Sequence, residues 1–222
     1  MEILSPLQKD ILKILGDVPD SGQFYLTGGT ALAYFYLKHR KSNDLDLFTP
    51  VAEILTPFSF QLEKNLVSHG MTPEKQRGFQ TFIEFHVRRN DETTIIQLAL
   101  DSPFRLQPVA SFPEFPKLNV DNLTDIAANK LLALFSRAAL RDFVDVYSIL
   151  KAGGFSEAEM IANAQKKDPG FDLYWLGVAF ERIRQFKEDA PDMLLLEGTL
   201  PLEVLKSFFG DWQKRLKNQL VL

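Results

Sequence analysis

Residues 24–50 read FYLTGGTALAYFYLKHRKSNDLDLFTP, and this stretch limits the fold more than any other. Phe24–Thr27 is a short apolar run that suits a strand, and Gly28-Gly29 breaks it as a tight turn. Thr30 to His39 is rich in Ala, Leu and Tyr and reads as a helix. Leu45–Phe48 then returns to strand character before Thr49-Pro50 closes it. Alternate residues of a strand share a face. Asp44 and Asp46 therefore project together, while Leu45 and Leu47 point to the opposite, core face.

Two carboxylates side by side repel each other unless a cation lies between them. Oxygen ligands of this kind suit Mg²⁺, which commonly takes one or two carboxylates plus substrate phosphates. The glycine corner complements that chemistry. A strand–turn–helix corner exposes backbone N–H groups at a helix N-terminus, where a phosphate is held by hydrogen bonds and the helix dipole. Thr30 is placed to cap the helix or add a hydroxyl contact. Taken singly, each element also has a plain reading: a simple tight turn, and a polar edge strand entered through Ser42-Asn43.

Other features exclude function classes. The 222 residues suit one large or two small domains, and 45% apolar content is enough for a real core. A net charge of −4 argues against a strongly basic nucleic-acid surface. There is no cysteine, so thiolate metal sites, disulfides and thiol nucleophiles are ruled out. His39, His69 and His86 are too scattered for a zinc motif. No leader pattern is visible, and no apolar run approaches the ~20 residues that cross a bilayer. The expectation is a cytoplasmic protein that does not engage membrane.

Farther along, Phe58–His69 reads as a helix, and Phe79–Arg88 with Thr93–Asp101 as paired strands around Asn90-Asp91. Residues 102–117 carry Pro103, Pro108, Pro113 and Pro116 and read as an extended connector. Helical patterns follow at 123–135, 140–151, 156–166, 173–186 and 202–217. The expected fold is α+β: a mixed sheet with flanking helices over residues 1–117, then a helical region over 118–222. Phe79, Phe82 and Phe85 do not fit one strand face and read as packing residues. The basic run Lys206, Lys214, Arg215 and Lys217 reads as a solvated amphipathic helix.

A glycine turn, a helix and a D-x-D strand, in that order, resemble the AbiEii/AbiGii-type nucleotidyltransferase toxins within the DNA polymerase β-like superfamily. The string GGTAL…HRKSNDLDLF carries the first half of the resemblance. The block LTDIAANKLLALFSRAALRDFVDVYSIL carries the second, with Lys130, Arg137, Arg141-Asp142 and Asp145 at the family's later motif positions. It covers roughly residues 20–152. The resemblance implies a nucleoside triphosphate substrate, Mg²⁺ at Asp44 and Asp46, and a triphosphate cradle at Gly28, Gly29, Thr30 and Arg141. It also implies Lys130 and Asp142 as catalytic residues, a tRNA or protein acceptor, and a cognate antitoxin. Arg40 and Lys41 are candidates for further phosphate contacts or for simple exposure after the helix. Asp145 is expected to hold Arg137 or Arg141.

One departure stands out. The superfamily carries a third carboxylate on a later strand, and in TTIIQLALDSP that position falls on Gln97. Asp101 shares the strand face by parity but lies about 13 Å farther along, and Glu84 on the neighbouring strand is another candidate. Two further readings therefore stay open: a catalytically degenerate nucleotide-binding member of the same fold, and a metal-dependent nuclease or phosphodiesterase.

Overall fold

The computed structural model describes residues 2–220, which divide into two units meeting between Asn122 and Leu123. The first unit is built on a mixed sheet. Its strands are β1 (Tyr25–Thr27), β2 (Asp44–Thr49), β3 (Thr72–Gly78), β4 (Phe82–Arg89), β5 (Glu92–Leu100), β6 (Ala110–Phe112) and β7 (Phe115–Val120). They lie in the order β3-β4-β5-β2-β1-β7-β6. β2 runs parallel to β5, β1 runs parallel to β7, and the other neighbours are antiparallel.

Register places the apolar side chains together. Leu26 pairs with Leu47, Leu47 with Leu98, and Leu45 with Ile96. All five are at most 1% exposed. The helices α1 (Pro6–Leu15) and α3 (Leu55–Ser68) pack against the sheet. They bring Leu7, Ile11, Leu12 and Leu15, and Leu55, Leu62 and Leu66, into the same core. The start of α1 is well specified: Ser5 and Gln8 cap each other's backbone N–H groups, and Pro6 occupies the first helical turn. Phe24 stacks on Phe58 with ring centroids 4.0 Å apart.

The structure differs from the sequence reading, or adds to it, in three places. The segment 102–117 is not simply a connector, because β6 and the first half of β7 lie within it. Thr72–Gly78 forms an edge strand that carries no hydrophobic alternation and is largely exposed. The helix after the glycine pair is α2 (Gly28–Ala31), which continues as a π-helical stretch over Leu32–Leu37 and ends at Lys38 with φ +53°. Phe79 stands exposed between β3 and β4, whereas Phe85 is fully buried.

The second unit is helical: α4 (Leu123–Arg137), α5 (Leu140–Lys151), α6 (Glu157–Lys167), α7 (Leu173–Glu181) and α8 (Leu202–Leu220). An aromatic core of Phe143, Phe180, Phe209 and Trp212 holds it, with successive ring centroids about 5–6 Å apart. On α8, Trp212 and Leu216 are buried while Lys214, Arg215 and Lys217 sit on the outer face, as the amphipathic pattern requires. Among the described residues, no helix is long and apolar enough to cross a membrane.

Candidate active site

The glycine pair is the opening turn of α2, directly after β1. Gly28 has φ +70°, a region that glycine enters without steric cost. A Cβ there would also lie 1.9 Å from Asp46 Oδ2, so the carboxylate already occupies the space that a side chain would need. Sequence spacing places Asp46 on a strand face; the fold turns that face onto the glycine corner. Gly29 is equally constrained, since its Cβ would come within 2.6 Å of Arg40 Nη2 and 2.9 Å of Ser42 Oγ.

Arg40 is therefore not a residue merely exposed after the helix. It is 3% exposed, and its guanidinium lies against Gly29 and donates to the Lys41 carbonyl at 2.8 Å. Thr30 is fully buried, and its hydroxyl donates to the Asp44 carbonyl. That bond ties the first turn of α2 to the first residue of β2. Asp44 and Asp46 alternate with buried Leu45 and Leu47 and are themselves half-buried.

Asp46 belongs to a polar row that crosses the sheet. Thr27 pairs with Asp46, Asp46 with Gln97, and Gln97 with Glu84. Gln97 Nε2 donates to Glu84 Oε2 at 2.9 Å. Beside Thr27 lies Asp121, 1% exposed, which accepts the Thr27 hydroxyl at 2.6 Å and a bond from Arg105. The Asp121 carbonyl accepts the Tyr36 hydroxyl at 2.8 Å, so the π-helical stretch is fastened to the same point. Burial, and then the Asp121 charge, pushes the Tyr36 phenol up to about 12. Asp121 and Arg105 did not stand out in the sequence. The available signal was the parity of FPKLNVD, which was hidden by reading that segment as a connector.

Asp101, one candidate for a third carboxylate, is engaged elsewhere. It accepts the Tyr25 hydroxyl, and Arg105 lies over the Tyr25 ring, 4.2 Å from its centroid. Burial of Tyr25, reinforced by this carboxylate, raises the phenol well above its ordinary value. A cleft of about 450 Å³ opens at the Asp44 end of the sheet, lined in part by Asn43, Glu74, His86 and Arg88. Neither Asp44 nor Asp46 lines it.

In the helical unit the motif aspartates are buried and ion-paired. Lys130 holds Asp145 at 2.8 Å. Arg137 grips Asp142 with two bonds of 2.8 Å, and Asp142 also accepts the Ala139 N–H at 3.2 Å, capping α5. Lys167 holds Asp125 at 2.8 Å. All three aspartates are 0% exposed. Arg141 is on the surface, with its backbone N–H 3.3 Å from Asp192.

The donor set fits a divalent cation of the hard, oxygen-loving kind. Among the described residues, no group of three or more His, Asp or Glu forms a metal cage. Two half-buried carboxylates on one strand, open to a glycine corner, are the partial set that Mg²⁺ completes with water and phosphate.

This sheet, with paired carboxylates facing a glycine-opened helix, is that of a nucleotidyltransferase fold. The chain belongs to the family described as "Nucleotidyl transferase AbiEii toxin, Type IV TA system", whose profile matches residues 10–221. Solved structures that share the fold include the following two. The MenT4 nucleotidyltransferase toxin of Mycobacterium tuberculosis H37Rv superposes with a TM-score of 0.59, covering 95% of this chain and 85% of that one at 16% identity. JHP933 of Helicobacter pylori gives 0.54, with 96% and 91% covered at 20% identity. The uncharacterized protein aq_aa25 of Aquifex aeolicus (strain VF5) is 25% identical over 173 residues, which is 78% of this chain and 80% of that protein.

Proposed function

We propose that this chain transfers a nucleoside monophosphate from a nucleoside triphosphate to an acceptor hydroxyl, as the toxin of a toxin–antitoxin pair. The observation that carries the reading is the Gly28–Asp46 contact: a helix-opening glycine whose missing Cβ is replaced by one carboxylate of a D-x-D strand. Gly28 and Gly29 offer backbone N–H groups to the triphosphate, and Thr30 holds α2 against β2. Arg40, packed on Gly29, adds positive charge beside the cradle. Asp44 and Asp46 hold Mg²⁺, which supplies charge neutralisation at the reacting phosphate. The acceptor oxygen bonds to the α-phosphorus, the bridging P–O bond breaks, pyrophosphate leaves with the electron pair, and the hydroxyl proton passes to a base.

In the helical unit we assign Lys130 to phosphate charge neutralisation, with Asp145 orienting it. For Asp142 and Arg141 we keep the catalytic and nucleotide-binding roles that the motif resemblance implies, with Arg137 fixing Asp142. We take the acceptor to be a tRNA or a protein; family membership supports a cognate antitoxin as partner.

Purified protein with Mg²⁺ and each α-³²P nucleoside triphosphate in turn, against total tRNA or protein, tests the reading. Wild type labels an acceptor, and Asp44→Ala/Asp46→Ala does not. Mg²⁺-dependent nucleotide binding without transfer would replace the transferase by a degenerate binding protein. RNA cleavage in the absence of triphosphate would replace it by a nuclease.

A further inference from the structure

Gln97 lies in register between Asp46 on β2 and Glu84 on β4. In-register neighbours project from one face of a sheet, so the three side chains form a continuous row. Glu84 is 8% exposed, and a carboxylate can only accept hydrogen bonds. The atom of Gln97 that meets it at 2.9 Å must therefore be the amide nitrogen. The orientation of the amide is settled by chemistry: Nε2 turns to Glu84, and Oε1 turns away from it. β5 separates β4 from β2 in the sheet, so Asp46 is the neighbour on the far side. The other Glu84 oxygen lies 3.9 Å from Arg77 Nε and 3.5 Å from His86 Nε2, cations or potential cations that hold the carboxylate in place.

We propose that Gln97 is the third oxygen ligand of the cation held by Asp44 and Asp46, and that Glu84 is the positioning residue that keeps the amide oxygen presented to it. The inference rests on the metal reading of Asp44 and Asp46. Amide carbonyl oxygens are ordinary ligands for Mg²⁺ and Mn²⁺. A neutral ligand adds a coordination position without a third negative charge, so two carboxylates balance one divalent ion. This chain then binds a single cation before nucleotide arrives, and further positive charge enters with the triphosphate. Glu84, in turn, acts as outer-shell carboxylates do elsewhere: it sets which face of a ligand the metal meets.

The test is Mn²⁺ binding to the purified full-length chain without nucleotide, read from the electron paramagnetic resonance signal of the free ion, with a thermal melt of each variant alongside. Wild type takes one Mn²⁺ per chain, and Asp46→Asn loses it. Glu84→Gln and Gln97→Met each weaken binding about tenfold or more, the usual cost of an outer-shell or ligand change. The exchange Glu84→Gln/Gln97→Glu keeps net charge and the cross-strand hydrogen bond while placing a carboxylate beside Asp46. It binds Mn²⁺ more tightly than wild type, which places position 97 within reach of the ion, while Glu84→Gln, which keeps Gln97 but removes the carboxylate that orients its amide, carries the test of the wild-type role even if Gln97→Met fails to fold. Mn²⁺ affinity unchanged in both Gln97→Met and the exchange variant, with Asp46→Asn still losing the ion, overturns the role of Gln97 and leaves the metal reading standing. No Mn²⁺ bound by wild type, or binding indifferent to Asp46→Asn, overturns both together.

Discussion

The two units use aspartate in opposite ways. In the sheet unit, Asp44 and Asp46 stand two apart on a strand, half-buried and facing a glycine corner. In the helical unit, Asp125, Asp142 and Asp145 are wholly buried, each bound to a cation at 2.8 Å. A buried charge is retained only when paired, because desolvation costs several kcal/mol per ion. Partial exposure of neighbouring carboxylates is instead the condition for taking up a cation from solution. Residue type is the same in both; burial and partner decide how each carboxylate is used.

The largest expected effects separate these roles. Asp46→Asn should reduce label transfer about a thousandfold, the several kcal/mol that a metal supplies to a developing charge. Its urea midpoint should stay level or rise, because a like-charge repulsion is relieved. A midpoint that collapses instead would make Asp46 a structural residue like those of the helical unit.

Asp145→Ala should instead show a large loss of stability, about 3–5 kcal/mol in urea unfolding, because Lys130 is left buried without its partner. The pair replacement Lys130→Met/Asp145→Leu should recover most of that stability. Stability recovered without transfer is the outcome expected of the proposed phosphate role of Lys130; transfer recovered with it would make the pair purely structural and sharpen the contrast between the units.

Gly28→Ala should cost roughly 1–2 kcal/mol for the left-handed backbone alone, and more because the new Cβ displaces Asp46. Transfer should fall far more than stability, and Mn²⁺ binding should weaken with it. Gly70→Ala provides the control: its φ is +74°, yet nothing lies within 4 Å of its Cβ position. It should show the backbone cost without the loss of transfer.

The smallest effect is a pH dependence confined to the sheet unit. The Tyr25 and Tyr36 phenols are raised in the folded state, Tyr36 to about 12. The unfolded chain loses these protons near pH ~10, so the stability they contribute is complete below that value and declines as pH rises through 10 toward 12. Tyr25→Phe should flatten part of the decline in denaturant midpoints measured from pH 9 to 11.5. An unaltered slope would show that the Tyr25–Asp101 contact does not contribute it.

Elements with strong periodicity were legible in the chain. The apolar spacing of Leu7 to Leu15, the alternation in DLDL and the amphipathic run around Trp212 each match the observed element. Thr72–Gly78 was not legible, because an exposed edge strand with Pro73, Lys75 and Arg77 has no buried face to leave an alternating pattern. β6 and β7 were masked by prolines, which strand edges and strand ends tolerate.

The sequence by itself determined that Asp44 and Asp46 share a face, since a strand repeats every two residues whatever surrounds it. It also determined that a glycine pair opens the preceding helix, and that the second half is helical. Only the tertiary structure decided that Gly28 leaves room for Asp46, that Gln97 is oriented by Glu84, and that Lys130 answers Asp145. The first two are contacts across strands whose neighbours are set by sheet order and register. The third depends on how two helices turn their faces toward each other. Local periodicity fixes the direction in which a side chain leaves its own element, but its partner is chosen by packing.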